Sequence, residues 1–287
     1  MNFLNWSSLH QKKTVLGLQI SYIDTGEFEK ETILIISGYG SSSYDYHKII
    51  NDLKENYRVI IPDLVGFGLS SKPTKFYFSM VNQAEVLINL LAALKVDKLS
   101  IVTQGFGSSI MCEVLNIIET NSINIHIKNI FLLNVSLYLE ANLNIEKQEE
   151  FAKLVSSIFL KMSSSYGLYK KYILQHFYDP TAVSEATLVT SWELLKHNDG
   201  LKTFNFASYW SSEIQNSSLR WLRVLKNLDA NVYFILGDFD PYSQYSELEN
   251  TQKILKTKDT YMIHDCGYFV SLEKPKELVE TIKKIMM

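Results

Sequence analysis

Two cysteines in 287 residues, Cys112 and Cys266, are too few for a disulfide framework, and Cys112 falls in an apolar helical pattern where a buried free thiol is expected. No apolar run approaches the roughly 20 residues that a membrane span needs. The first residues, Met1-Asn2-Phe3-Leu4-Asn5-Trp6, lack a basic region followed by an apolar stretch, so a cytoplasmic protein without a signal peptide is expected. Basic charge is not in excess: 28 Lys and Arg against 31 Asp and Glu leave a net charge of -3, which gives no reason to expect nucleic acid. No two histidines or cysteines stand at a metal-ligand spacing and no phosphate loop occurs, so neither a metal nor a cofactor is called for. Internal repeats and low-complexity segments are absent from the sequence.

What is present is a chain that is 46% hydrophobic and 21% charged, long enough to bury a large core. Short β-favouring runs recur at Leu18–Tyr22, Thr32–Ile36, Arg58–Ile61, Leu99–Val102, Ile127–Leu133, Asn231–Leu236 and Thr260–Ile263. Helical stripes alternate with them: Tyr46, Ile49, Ile50 and Leu53; Val81, Ala84, Leu87, Ile88 and Leu91; Ile110, Met111, Val114, Leu115 and Ile118. Residues 276–286 close the chain, with Leu278, Val279, Ile282 and Ile285 facing inward after Pro275 at a first helical position. Alternation of this kind predicts an α/β fold with a mostly parallel sheet covered on both faces.

Particular segments are more specific. Ile33-Leu34-Ile35-Ile36-Ser37-Gly38-Tyr39-Gly40 reads as a strand followed by a glycine turn. Residues 57–73, Y-R-V-I-I-P-D-L-V-G-F-G-L-S-S-K-P, form a long block, and Leu236-Gly237-Asp238-Phe239-Asp240-Pro241 and Cys266-Gly267-Tyr268-Phe269 with Leu272-Glu273-Lys274-Pro275 follow near the end. Between a strand and a helix stands Thr103-Gln104-Gly105-Phe106-Gly107. In this order the segments resemble the α/β-hydrolase superfamily, nearest the haloalkane dehalogenase and epoxide hydrolase branch. The resemblance implies an α/β-hydrolase fold with an inserted helical cap.

By that resemblance Gly105 falls on the nucleophile of the G-x-S-x-G elbow, Asp240 on the triad acid and Tyr268 on the histidine base, while Ser37 replaces the histidine of the H-G-x-x turn. A glycine has no atom with which to attack a carbonyl, and a phenol of ordinary pKa about 10 is a hydrogen-bond donor at neutral pH rather than a base. The triad is therefore read as degenerate. The backbone amides of Tyr39 and Phe106 remain as an oxyanion-hole-like pair that could hold an oxygen without reacting with it. Gly105 and Gly107 are expected for a tight turn of positive φ. Alternative reacting groups are Ser37, Gln104, Ser108 and His264; His264 is four positions before Tyr268 and is the histidine able to approach Asp240 from the same loop, although a structural or solvent-facing histidine is the simpler reading. Ser108 and Ser109 read more simply as capping or small packing residues. His176 and His197 fall in the middle segment and carry no assigned role.

From about Ser136 to Asn216 the chain turns helical and aromatic, with Phe151, Phe159, Tyr166, Tyr169, Tyr172, Phe177, Tyr178, Trp192, Phe204, Phe206, Tyr209 and Trp210. The organisation expected is a core at 1–135, a cap at 136–216 and a second core part at 217–287. A cap over the C-terminal ends of a parallel sheet encloses an apolar pocket. Three functions follow: a pseudo-hydrolase that binds a small apolar molecule, a hydrolase of weak esterase type with rerouted residues, or a non-hydrolytic lyase or cyclase. The expected guest is a small apolar molecule or an ester, and a protein partner is also compatible with the sequence.

Overall fold

The computed structural model describes residues 1–135, 157, 161–207, 210–241, 249, 252–253, 255 and 257–287. Phe151, Phe159 and Tyr209 lie outside these residues, as do the side chains of Phe204, Phe206 and Trp210 and most of the first part of the expected cap.

Among the described residues eight strands form one sheet in the order β1-β2-β4-β3-β5-β6-β7-β8. They are β1 (Gln11–Val15), β2 (Leu18–Asp24), β3 (Thr32–Ile36), β4 (Arg58–Pro62), β5 (Lys98–Gln104), β6 (His126–Leu133), β7 (Asn231–Gly237) and β8 (Asp259–Ile263). The β1–β2 and β2–β4 pairs are antiparallel, and every pair from β4 through β3 to β8 is parallel. All five residues of β3 and of β4 are buried, the unbroken apolar reading of a parallel strand covered on both faces. The sequence runs miss β1. Its first four residues are exposed and include Lys12 and Lys13, so this edge strand shows no apolar alternation.

The helices named by their stripes form where expected, with one exception. Helix α3 (Met80–Ala93) opens on Ser79, whose hydroxyl accepts from the amide of Asn82 at 3.0 Å, and buries Ala84, Leu87, Ile88 and Leu91. Helix α4 (Phe106–Thr120) buries Ile110, Met111, Val114 and Leu115. The stripe at 46–53 is instead a 3₁₀ turn, Ser43–Tyr46, followed by the short helix α2 (Ile50–Leu53), although all four of its stripe residues are buried. A further short helix, α1 (Phe3–Ser7), inserts Trp6 into the core.

Between β6 and β7 the described helices are α5 (Tyr166–Leu174), α6 (Glu185–Lys196), α7 (Gly200–Ala207) and α8 (Trp210–Lys226). The division expected at 216/217 falls inside α8, a continuous helix that packs against α4. The α4–α8 contact is fixed by buried Glu113, which accepts from the indole of Trp221 at 2.7 Å and from Nε and Nη2 along one edge of the Arg220 guanidinium. The chain ends with α9 (Val270–Glu273) and α10 (Pro275–Met286), the latter burying Leu278, Val279 and Ile282. Among the described residues no helix is long and apolar enough to cross a membrane, and no group of three or more His, Cys, Asp or Glu is placed to hold a metal ion.

Candidate functional site

Strand β5 ends in a sharp turn at Gly105, with φ 51° and ψ -124°, and α4 begins at the next residue with no side-chain cap. Positive φ is the left-handed region that glycine enters without a Cβ penalty. Two residues on, α4 crosses so close to β3 that a Cβ on Gly107 would meet the carbonyl oxygens of Ile36 and Ser37 at 2.6 and 2.7 Å. The turn is therefore sharp and tightly packed, and its apex bears no side chain.

The phenol of Tyr268 fills that apex. A Cβ built on Gly105 would fall inside van der Waals contact with the Tyr268 hydroxyl and lie 3.4 Å from the ring carbon bearing it. On the other side, a Cβ on Gly38 would lie 3.7 Å from the same hydroxyl. The hydroxyl thus stands between the turn after β3 and the turn after β5. Three backbone hydrogen bonds from separate elements set this position. The Tyr268 amide donates to the carbonyl of His176 at 2.8 Å, and its carbonyl accepts from the side chains of Gln104 at 2.5 Å and Asn134 at 2.8 Å. Asn134, at positive φ after β6, also donates to the carbonyl of Gly267 and accepts from the amide of Gly237, tying the ends of β6 and β7 to the Tyr268 loop.

Around this point lies a cavity of about 120 Å³. Gly38, Tyr39, Gln104, Gly105, Phe106, Asn134 and Tyr268 contribute from the sheet side. Met162, Tyr169, Tyr172, Ile173, His176, Val183, Leu188, Leu195 and Ile214 contribute from the helical segment. An apolar cavity of this order accepts a guest the size of benzene. The rings of Tyr39 and Phe106 pack with centroids 5.6 Å apart, and burial pushes the Tyr39 phenol up, holding it neutral.

The residues expected at the site separate into two groups. Tyr39, Gln104, Gly105, Phe106 and Tyr268 come together on the cavity wall. Gln104 spends its side-chain amide on the Tyr268 carbonyl. Asp240 is buried in the turn after β7 but is not among the lining residues. Ser37 and Ser108 are buried away from the lining; Ser108 does not cap α4, whose cap position is Gly105, and its hydroxyl lies 3.4 Å from that of Thr103. Ser109 does reach the lining. His264 takes the solvent-facing position and not the alternative one at Asp240: its side chain is 82% exposed and its Nδ1 lies 3.1 Å from Asp238.

Two lining groups had no signal in the sequence. His176 is buried beside the Tyr268 loop; its Nδ1 donates to the Tyr172 carbonyl at 2.7 Å, leaving Nε2 as the acceptor nitrogen, and burial lowers its pKa, so the ring is neutral. Asp45, in the 3₁₀ turn after β3, also faces the cavity and accepts from the Ser41 hydroxyl. A hydroxyl–imidazole–carboxylate cluster does exist elsewhere. Ser43 Oγ lies 3.1 Å from His10 Nε2, and His10 Nδ1 lies 2.8 Å from Ser21 Oγ and 3.9 Å from Asp63. The side chains of His10 and Asp63 have no exposure, and none of the four residues lines the cavity, so the cluster anchors the N-terminal segment to the core.

The sheet order, the elbow turn and the helices between β6 and β7 define an α/β-hydrolase-type protein. The sequence profile of the alpha/beta hydrolase fold matches residues 31–275, and the chain belongs to that family. Among relatives, it is similar to the mesoderm-specific transcript homolog protein of Bos taurus, 26% identical over 281 residues that cover 94% of this chain and 84% of that one. It is similar also to lipase 3 of Moraxella sp., 24% identical over 279 residues, covering 96% and 84%. Solved structures with the same fold include the epoxide hydrolase CorEH, at TM-score 0.75 and 19% identity over 96% of this chain and 97% of that one. A haloalkane dehalogenase variant from Bradyrhizobium elkanii matches at TM-score 0.71 and 15% identity, covering 96% and 95%.

Proposed function

We propose that this protein binds a small apolar molecule in the cavity under its helical segment and forms no covalent intermediate with it, a pseudo-hydrolase with a degenerate triad. The observation that carries the reading is the Tyr268 hydroxyl lodged against Gly105. A covalent hydrolase needs an activated nucleophile at the elbow and space beside it for the scissile carbonyl. Here the apex offers no attacking atom and the neighbouring space holds a phenol. The mostly apolar lining supports an uncharged guest. In this reading Asp240 and Tyr268 keep the family's positions without its relay, the amides of Tyr39 and Phe106 offer hydrogen bonds to a bound oxygen, and the helices after β6 act as the cap.

An ester-hydrolysing alternative draws on relatives named lipases. It would require water as the nucleophile at the turn, with a slow rate from polarisation alone. The test is p-nitrophenyl butyrate turnover by the wild type, Gly105→Ser, and Gly105→Ser with Tyr268→His. The expected order is no turnover above a folded control protein for the first two, because Tyr268 excludes the new serine, and a gain for the double variant. Wild-type turnover that falls at least tenfold on Tyr268→Phe would overturn the proposal.

A further inference from the structure

We infer that Asp45 and Ser41 form a polar pole of the cavity that accepts the hydroxyl of a small neutral alcohol or phenol and turns away carboxylates. The inference rests on the reading that the cavity binds a small molecule, and it names that molecule's class. Asp45 is held rigidly: its amide donates to the Ser42 carbonyl at 3.1 Å, and its own carbonyl accepts from Ser271 Oγ at 2.8 Å. The side chain is 8% exposed and lines the cavity. One carboxylate oxygen accepts from the Ser41 hydroxyl; among the described residues the other accepts no hydrogen bond, and no cation pairs with the group. A buried carboxyl with an unused acceptor facing a hollow is costly unless something fills the hollow and donates to it.

The surroundings select the donor. Tyr169, Val183, Leu188 and Leu195 give this cavity an apolar body. A hydroxyl brings one donor to the one open oxygen, whereas an ammonium brings three donors and a full charge that the apolar wall cannot serve. A carboxylate guest meets like charge. The groups acting electrostatically with Asp45 are the buried Asp63, also acidic, and the phenols of Tyr44, Tyr46 and Tyr169. Burial raises the Asp45 pKa to about 6, so at pH 7.5 it is an acceptor.

The test is calorimetric binding at pH 7.5 of p-cresol, toluene, p-toluate and benzylamine to the wild type, Asp45→Leu and Asp45→Asn. Wild type should bind p-cresol at least tenfold more tightly than each of the other three. Asp45→Leu should bind p-cresol and toluene equally, and Asp45→Asn should gain affinity for p-toluate. Toluene or p-toluate binding as tightly as p-cresol, a tenfold preference for benzylamine, or a cresol preference retained in Asp45→Leu would overturn the inference while leaving the apolar-ligand reading standing. Failure of both toluene and p-cresol to bind the wild type would overturn both.

Discussion

The hydroxyl of Tyr268 occupies the space that a side chain on Gly105 would need, so this phenol and a Cβ at position 105 exclude each other. Gly105→Ala should cost about 2–4 kcal/mol, the sum of holding alanine at φ 51° and crowding the phenol. With Tyr268→Phe in place the crowding oxygen is gone and the nearest ring carbon is 3.4 Å away. The alanine penalty should then shrink by at least about 1 kcal/mol, a coupling that urea unfolding of the four proteins of the cycle would measure. Strict additivity would show that the two positions do not meet.

Asp45 gives a pH signature in stability. Burial lifts its carboxyl from 3.8 to about 6, opposed by the Ser41 hydrogen bond and helped by Asp63. A raised acid pKa means the folded state holds the proton more tightly than the unfolded chain. Its contribution is favourable at pH 4 and below, and is lost as pH rises through about 6. The full swing is about 3 kcal/mol. The difference in unfolding free energy between wild type and Asp45→Asn should fall by about that amount from pH 4 to pH 7. His10, His47 and His176, whose pKa values burial lowers, act in the opposite direction, costing stability as pH falls below 6.5, and they cancel in the difference. A difference that is flat with pH would contradict the placement of Asp45.

Glu113 links the elbow helix α4 to α8, which leads from the helical segment into β7. Glu113→Ala leaves the indole of Trp221 without its acceptor and Arg220 without its partner, and should cost about 3 kcal/mol in thermal or urea unfolding. Arg220→Ala, which removes the half-exposed partner and leaves the carboxylate buried, should also destabilise clearly. A loss under about 1 kcal/mol for Glu113→Ala would show that the α4–α8 contact does not depend on it.

The legible part of the fold was the part in which each element announces itself locally. Strands β3 to β7 are apolar runs because both faces are covered, and the elbow stands out because turn, strand and helix are contiguous. β1 was silent because Lys12 and Lys13 face solvent on an edge strand. Asp45 and His176 were silent for a different reason. Each sits in an unremarkable local context and reaches the cavity through packing between segments more than a hundred residues apart, a relationship no spacing encodes. His264, near Asp240 in loop terms, points to solvent and Asp238 because the β8 end turns it outward. Gly105 and Tyr268 were visible as two residue identities, but the crowding of a Cβ at 105 by the phenol of 268 is a property of three dimensions.

The most direct measurement is the intact mass of the purified protein after exposure to a fluorophosphonate and, separately, to p-nitrophenyl acetate, followed by peptide mapping. No adduct should form on any side chain lining the cavity. A stoichiometric adduct on Ser41, Ser109 or another lining residue would contradict the account, because it would put a working nucleophile in the cavity for which binding without covalent chemistry is proposed.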